Sequence, residues 1–311
     1  MEHIAAIIGA GLVGRAWAMV FARAGWHVRL YDNAPAQLDL ARGHIATSLA
    51  EQQAAGLVDD AERAAARVSM VTRIEDAVTG VDWVQENLPE QVEIKREVFR
   101  TLDALAPAAA VLASSTSAIP ASQFTDMLAG RSRCLVAHPV NPPHLIPVVE
   151  LCGAPWTSAA TIERAKSVMA EVGQVPIVVR RELDGFILNR LQGALLTEAM
   201  RLVGDGYVSP EDLDKTVAHG LGLRWSFMGP FATIELNAPG GVADYCARYG
   251  GIYRKLAADP PAPYVWDAEH AARVVAALGE PPTPAERERK MDVRDRRLLA
   301  LARHKRDQPD T

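Results

Sequence analysis

The sequence predicts an α/β chain, a mostly parallel doubly wound sheet followed by a second, all-helical part, on three observations. Short apolar runs alternate with helical stretches over the first 183 residues, the pattern of strands buried on both faces of a parallel sheet and of their crossover helices. A glycine-rich turn directly follows the first of those runs. From about residue 184 onward only helical patterns remain. The expected organisation is therefore a first domain over residues 1–183 and a helical domain over 184–311, and a length of 311 residues suits two domains.

Taken in order, Ile4 to Ile8 is the first apolar run, and Gly9-Ala-Gly11-Leu12-Val13-Gly14 follows at once. The first glycine permits a sharp turn, the second lets a pyrophosphate approach the backbone, and the third lets the helix pack close to the strand. Arg15 to Ala24 reads as that helix, ended by Gly25, and His27 to Tyr31 as the second strand. Asp32 closes it, about twenty residues beyond the glycines, where an acidic side chain accepts from both ribose hydroxyls. A lone GxGxxG is weak evidence. Set between strand and helix and closed by an acid, it predicts a Rossmann-type dinucleotide site, and the carboxylate favours NAD over NADP because it repels the extra phosphate.

Residues 35–67 are alanine-rich and helical, with Gly56 as a break, and Val68 to Thr72 and Val81 to Gln85 read as strands. A helix is expected from Glu86 to about Leu105. Its start faces the same sheet edge as the glycine turn, which makes Glu90 and Lys95 cofactor candidates, although charges in a first turn are usually just solvated. Ala110 to Ala113 is the next strand and ends in Ser114-Ser-Thr-Ser117, whose hydroxyls suit a substrate oxygen or simply cap a turn. A helix over 121–129 and a strand over 133–137 lead to His138.

The stretch from Val136 to Leu151 is where the chain converges. It holds His138 after one apolar run and Glu150 inside the next, with prolines at 139, 142, 143 and 147 stiffening the path between them. Proline removes a donor, so a helix is excluded and a central strand disfavoured. A carboxylate flanked by Val148, Val149 and Leu151 needs a partner, and the histidine is the obvious one. Such a pair fixes the tautomer and leaves the other ring nitrogen free to take a proton. A hydrogen-bonded core histidine is the plainer alternative.

Beyond it, Thr157 to Val172 reads as helix and Val175 to Val179 as a last strand. Phe186 to Val203 is expected as a long apolar helix with Asn189 buried in it, either satisfied by backbone or aimed at the site. Ser209, Pro210 and Asp212 mark a capped helix start. Residues 220–241, around Arg224 and Trp225, read as loop-rich, and residues 285–305 as a charged helix that packs through Met291, Leu298 and Ala302. The tail from Asp307 is expected to be disordered.

Bulk composition excludes several classes. A net charge of −5 argues against nucleic acid as a partner, since such proteins show a basic excess. The three cysteines lack metal-like or redox-like spacing, so no metal is expected and reduced thiols in the cytoplasm are. Neither a signal peptide nor a membrane span fits.

The order and spacing of five motifs carry a resemblance. They are Ser-Ser-Thr-Ser at 114–117, Ala-His-Pro-Val-Asn-Pro-Pro at 137–143, Val-Glu-Leu at 149–151, Asp-Gly-Phe-Ile-Leu-Asn-Arg-Leu-Gln at 184–192, and Gly-Leu-Arg-Trp-Ser-Phe-Met-Gly-Pro at 222–230. On these the chain resembles the 3-hydroxyacyl-CoA dehydrogenase family over nearly its whole length, and most closely its lambda-crystallin branch, whose members act as L-gulonate 3-dehydrogenases. The resemblance implies that His138 is the catalytic base and Glu150 its partner, and that Ser117 and Asn189 hold the substrate oxygen and the histidine's surroundings. It also implies that Asp32, Glu90 and Lys95 contact the cofactor, with the backbone at Leu12 and Val13 on the pyrophosphate, and that the helical domain forms a homodimer.

Two features set the chain apart from acyl-CoA enzymes. Residues 35–67, near the nucleotide end of CoA in those enzymes, carry no lysine and only Arg42, Arg63 and Arg67. Arg224 sits in a stretch that the acyl-CoA branch has shorter and without the arginine. Its planar fork suits a substrate carboxylate, and a surface or interdomain ion pair is the alternative. The expected reaction is NAD-dependent oxidation of the 3-hydroxyl of a small hydroxy acid, L-gulonate to 3-dehydro-L-gulonate first. A 3-hydroxyacyl-CoA or carnitine dehydrogenase is the second reading, and a non-catalytic NAD-binding crystallin-like protein the third.

Overall fold

The structure, a computed structural model, describes residues 2–308, and all structural statements concern these. The chain divides into two compact units. One runs up to Asn189 and takes in the residues from Arg287 onward; the other is Arg190–Glu286. By compactness the division falls at Asn189, a few residues beyond 183/184, and the greater part of the final helix groups with the first unit.

In the first unit the elements alternate in the order β1 (Ile4–Ile8), α1 (Leu12–Arg23), β2 (His27–Tyr31), α2 (Pro35–Ala54), α3 (Ala61–Ala66), β3 (Val68–Val71), α4 (Ile74–Val78), β4 (Trp83–Glu86), α5 (Val92–Leu105), β5 (Val111–Ser114), α6 (Ser122–Thr125), β6 (Cys134–Pro139), β7 (Val148–Gly153), α7 (Ala159–Glu171) and β8 (Val175–Val179). They build one eight-stranded sheet in the order β3-β2-β1-β4-β5-β6-β7-β8. All neighbours are parallel except β6 and β7. Strand order reverses between β1 and β4, the crevice where open α/β sheets take their ligands. The short strands are buried on both faces because helices cover both. One layer of core packs α1, α2 and α7 through Trp17, Phe21, Ile45 and Met169. The other packs α4, α5 and α6 through Val78, Phe99, Leu102 and Phe124.

Two expectations fail here for a physical reason. The helix foreseen from Glu86 starts only at Val92, because residues 87–91 are held as a loop by side-chain hydrogen bonds described below. The helix foreseen over 121–129 is a single turn. The proline-rich stretch is no bar to pairing either: β6 and β7 form an antiparallel ladder that places His138 opposite Glu150. The prolines lie in the turn between them or at the strand ends, where no ladder donor is needed.

The second unit is helical: the greater part of α8 (Leu188–Gly204), then α9 (Pro210–Thr216), α10 (Gly222–Trp225), α11 (Pro230–Leu236), α12 (Gly241–Ala257) and α13 (Ala268–Leu278). Ser209 caps α9 as its sequence predicts, accepting from Asp212 N at 3.1 Å. Residues 220–241 hold more helix than expected. Helix α14 (Pro284–Arg306) returns to the first unit, where Leu299 is buried and Arg306 donates to the carbonyl of Gly56 between α2 and α3. Met291, foreseen on its packed stripe, is exposed. Asp307 continues the helical bonding to Arg303 O at 3.0 Å, against the expected disorder, and residues 309–311 lie outside the described residues.

Candidate active site

The glycine turn binds nothing by side chain; its geometry is made by what is missing. Gly9 sits at φ +97°, a left-handed conformation that a side chain would resist. A Cβ on Gly14 would lie 1.8 Å from the Gly9 carbonyl, so only glycine lets α1 start against β1. At Gly11 a Cβ would meet nothing within 4 Å. That open side faces the first turn of α1, whose leading N–H groups at Leu12 and Val13 have no intrahelical acceptors. Asp32 braces the turn: Oδ2 accepts from Ala10 N at 2.9 Å and Oδ1 from Ala34 N at 3.0 Å, leaving lone pairs on both oxygens. These residues fit a dinucleotide, with the pyrophosphate on the helix N-terminus and a ribose on Asp32.

Beside it opens a cavity of about 250 Å³ lined by Val13, Asn87, Leu88, Glu90, Ser115 to Ser117, His138, Pro139 and Asn141. His138 is buried, and its Nδ1 lies 2.7 Å from Oε2 of the fully buried Glu150. Oε1 of the same carboxylate accepts from Ile187 N at 2.8 Å and Leu188 N at 3.0 Å. Those two donors are aimed by a left-handed turn at Gly185 (φ +75°) and Phe186 (φ +47°). Phe186 is wholly buried, its ring 5.6 Å from the imidazole, so packing holds it in a conformation that a non-glycine residue rarely adopts. Burial pushes the Glu150 carboxyl up, but the bonds from His138, Leu188 N and Ile187 N outweigh it and hold the group below the usual carboxylate range. An ionised acceptor beside Nδ1 fixes a ring proton there, so that in the neutral tautomer the lone pair sits on Nε2.

The serine-rich turn separates into distinct parts. Ser114 donates to Glu86, and Thr116 donates to Glu90. Ser115 is saturated by three partners. Only Ser117 keeps its hydroxyl available, with nothing closer than Glu90 Oε1 at 3.5 Å. Asn189, expected as a buried amide, is half-buried, and its Nδ2 donates to the Ser117 carbonyl at 2.8 Å. It therefore holds the turn that presents Ser117.

Glu90 lies in the loop before α5, not in a helical first turn. Its Oε1 also accepts from Ser117 N at 3.0 Å and Ala118 N at 2.9 Å. Burial raises this carboxyl, while Thr116, the Ala118 amide, Lys95 and the Ser117 amide bring it below its ordinary range. Lys95 is far from solvated: it is 1 % exposed, with Nζ 3.0 Å from Glu86 Oε2 and 3.7 Å from Glu90 Oε2. Its ammonium is neutralised by Glu86, a residue the sequence did not single out, so the cavity is offered Glu90 rather than Lys95. Arg224 belongs to the second unit, on α10, exposed and without an ion pair among the described residues.

A crevice at the strand-order reversal, a glycine turn with an acid after β2, and an imidazole braced by a carboxylate beside it define a dinucleotide-dependent dehydrogenase. The comparisons agree. The family model for the 3-hydroxyacyl-CoA dehydrogenase NAD-binding domain matches residues 4–183, and that for the family's C-terminal domain matches residues 185–271. The chain belongs to the 3-hydroxyacyl-CoA dehydrogenase family, in its lambda-crystallin branch, and is an NAD-dependent dehydrogenase acting on a hydroxyl group. It is 45% identical to lambda-crystallin of Oryctolagus cuniculus over 254 residues, 80% of this chain and 79% of that one. It is 35% identical to an L-carnitine dehydrogenase of Pseudomonas sp over 300 residues, 95% of this chain and 92% of the other. Among solved structures, an NAD+-dependent dismutase, 5-formyl-3-hydroxy-2-methylpyridine 4-carboxylic acid 5-dehydrogenase, aligns with a TM-score of 0.86 at 31% identity, covering 99% of this chain and all of its own.

Proposed function

We propose that the protein oxidises the 3-hydroxyl of a small free hydroxy acid, L-gulonate to 3-dehydro-L-gulonate first, with the His138–Glu150 pair as general base. The observation that carries this reading is the 2.7 Å bond from His138 Nδ1 to a buried carboxylate that is itself locked by two backbone donors. NAD, when bound, supplies the hydride acceptor. The chain's own residues handle the proton and the placement. His138 Nε2 takes the hydroxyl proton, and Glu150 stabilises the resulting imidazolium without leaving its place. Ser117 donates to the substrate oxygen, and Asn189 holds the turn that carries it. Asp32 and the α1 N-terminus would hold the dinucleotide, Glu90 lines the cavity beside His138, and Arg224 would pair with the substrate carboxylate. A dyad of this kind accounts for roughly 10²- to 10⁴-fold of the rate.

Free acids are favoured because the pyridine carboxylic acid enzyme and L-carnitine dehydrogenase, two relatives that align over nearly the whole chain, are named for substrates carrying a carboxylate. The second of these also favours carnitine as the alternative substrate. Free thiols at Cys134, Cys152 and Cys246 suit the reducing cytoplasm. Among the described residues no helix is long and apolar enough to cross a membrane. NADH absorbance with L-gulonate, 3-hydroxybutyrate, L-carnitine and 3-hydroxybutyryl-CoA tests the proposal. A free hydroxy acid should give the highest kcat/KM. A preference for the CoA ester would overturn the substrate class, and no turnover of any of them would leave the crystallin-like reading.

A further inference from the structure

Gln85 is wholly buried near the end of β4, yet neither of its polar atoms is idle. Its Oε1 accepts from the Trp83 indole at 2.9 Å, and its Nε2 donates to Ser115 Oγ at 2.7 Å and to the Ala137 carbonyl at 3.2 Å. Ser115 in turn donates to Asn87 Oδ1 at 2.7 Å and accepts from the Trp17 indole at 3.0 Å. Asn87 Nδ2 completes the set on the carbonyls of Gln85 and Ile8, at 2.9 and 3.3 Å. The network therefore begins on α1, the helix that opens from the glycine turn. It crosses the carboxyl ends of β1, β4 and β5, and finishes one residue before His138.

The topology explains why a glutamine is needed there. Strand β5 stops at Ser114, paired with Val136, so the Ala137 carbonyl on β6 has no strand neighbour on that side. The Gln85 amide reaches past the end of β5 and supplies the missing donor. A buried amide is tolerable only when all its groups are matched, and here they are. Ser115 has used its one O–H and both lone pairs, so it has nothing left for a ligand.

We propose that Gln85 is a positioning residue for the reaction: through Ser115 and the Ala137 carbonyl it fixes the spacing between the His138 imidazole and the turn that presents Ser117. The proposal rests on the reading of His138 as the base. Its removal acts on turnover rather than on binding, because none of its atoms lines the cavity.

The test uses full-length Gln85→Leu, Ser115→Ala and the double variant. Hydrogen exchange at the Trp17 and Trp83 indole N–H groups, read by NMR without substrate or cofactor, should quicken at least about tenfold in Gln85→Leu. Turnover should fall by about 10- to 100-fold, the loss expected when a reacting group shifts by about 1 Å. NAD affinity and the KM of the acid should stay within about threefold. The double variant should be no worse than Gln85→Leu, since both cut one network. Quickened exchange with turnover intact would overturn the proposal, as would a turnover loss matched by an equal loss of NAD binding. If Gln85→Leu does not fold, Ser115→Ala, which deletes one oxygen, must show the same split at smaller amplitude. A wild-type protein inactive on every hydroxy acid would fell the assignment of His138 instead, a result that indole exchange does not read.

Discussion

Glu150 does two things with one carboxylate. Oε2 orients the imidazole, and Oε1 takes the first free amides at the start of α8, where a negative charge is favoured by the helix N-terminus. Glu150→Gln keeps the shape but turns the bond round: an amide N–H donates to Nδ1 and drives the ring proton to Nε2, where the base should be free. Turnover should drop by about 10²- to 10⁴-fold while NAD affinity holds, measured by steady-state kinetics and calorimetry. The native carboxyl is held below its ordinary range, so its stabilising contribution is full above that range and lost as pH falls through its folded value. Arg224 is the other residue whose removal is informative. Arg224→Met should raise the KM for a hydroxy acid at least about tenfold, the loss of a charge-assisted bond, and leave NAD binding alone; an unaltered KM would end its carboxylate role. The His138–Glu150 partnership was legible because both ionisable groups sit among apolar neighbours. The fates of Lys95 and Asn189 were not. Lysine near a helix start is usually solvated, and nothing local marks Glu86 as its counter-ion.

At the scale of elements, the turn between β6 and β7 is held down from three sides. Arg23 on α1 donates to the His144 carbonyl at 2.7 Å, and Ser48 on α2 lies 3.4 Å from the His144 ring. Arg294 and Asp295 on α14 also act on that ring. Burial, with Arg23, Arg15 and Arg294 outweighing Asp295, pushes the His144 imidazole down to about 4 from 6.5. Between these two values the unfolded chain binds the proton and the folded one does not, so stability should fall as pH drops from about 6.5 to about 4. Urea denaturation across that range should show the slope in the native chain and a flatter one in His144→Gln; identical slopes would contradict it. Most strands and the larger helices of the sheet were readable from apolar runs and glycine stops. The antiparallel ladder was not, because prolines at its ends mimic a loop, and α14 hid its destination because its packing partners lie more than two hundred residues away.

At the scale of the molecule, the second unit exposes large apolar side chains that water does not favour. Leu191, Tyr207, Phe231 and Leu236 are each more than 60% accessible, at 64, 75, 75 and 74%. Exposed apolar side chains are what association covers, and a second copy of the chain is the proposed partner. Sedimentation should give a dimer, and Phe231→Asp should weaken it; a native chain monomeric at all concentrations would remove the homodimer. The domain order was legible because the period of the pattern changes near residue 184.

In the proposed reaction His138 takes the proton of a secondary alcohol. His138→Gln, assayed for NADH formation with the preferred hydroxy acid and for NAD binding by calorimetry, tests it most directly. Unchanged NAD affinity with turnover reduced by about 10²-fold or more is the predicted result. Turnover close to that of the native chain would contradict it.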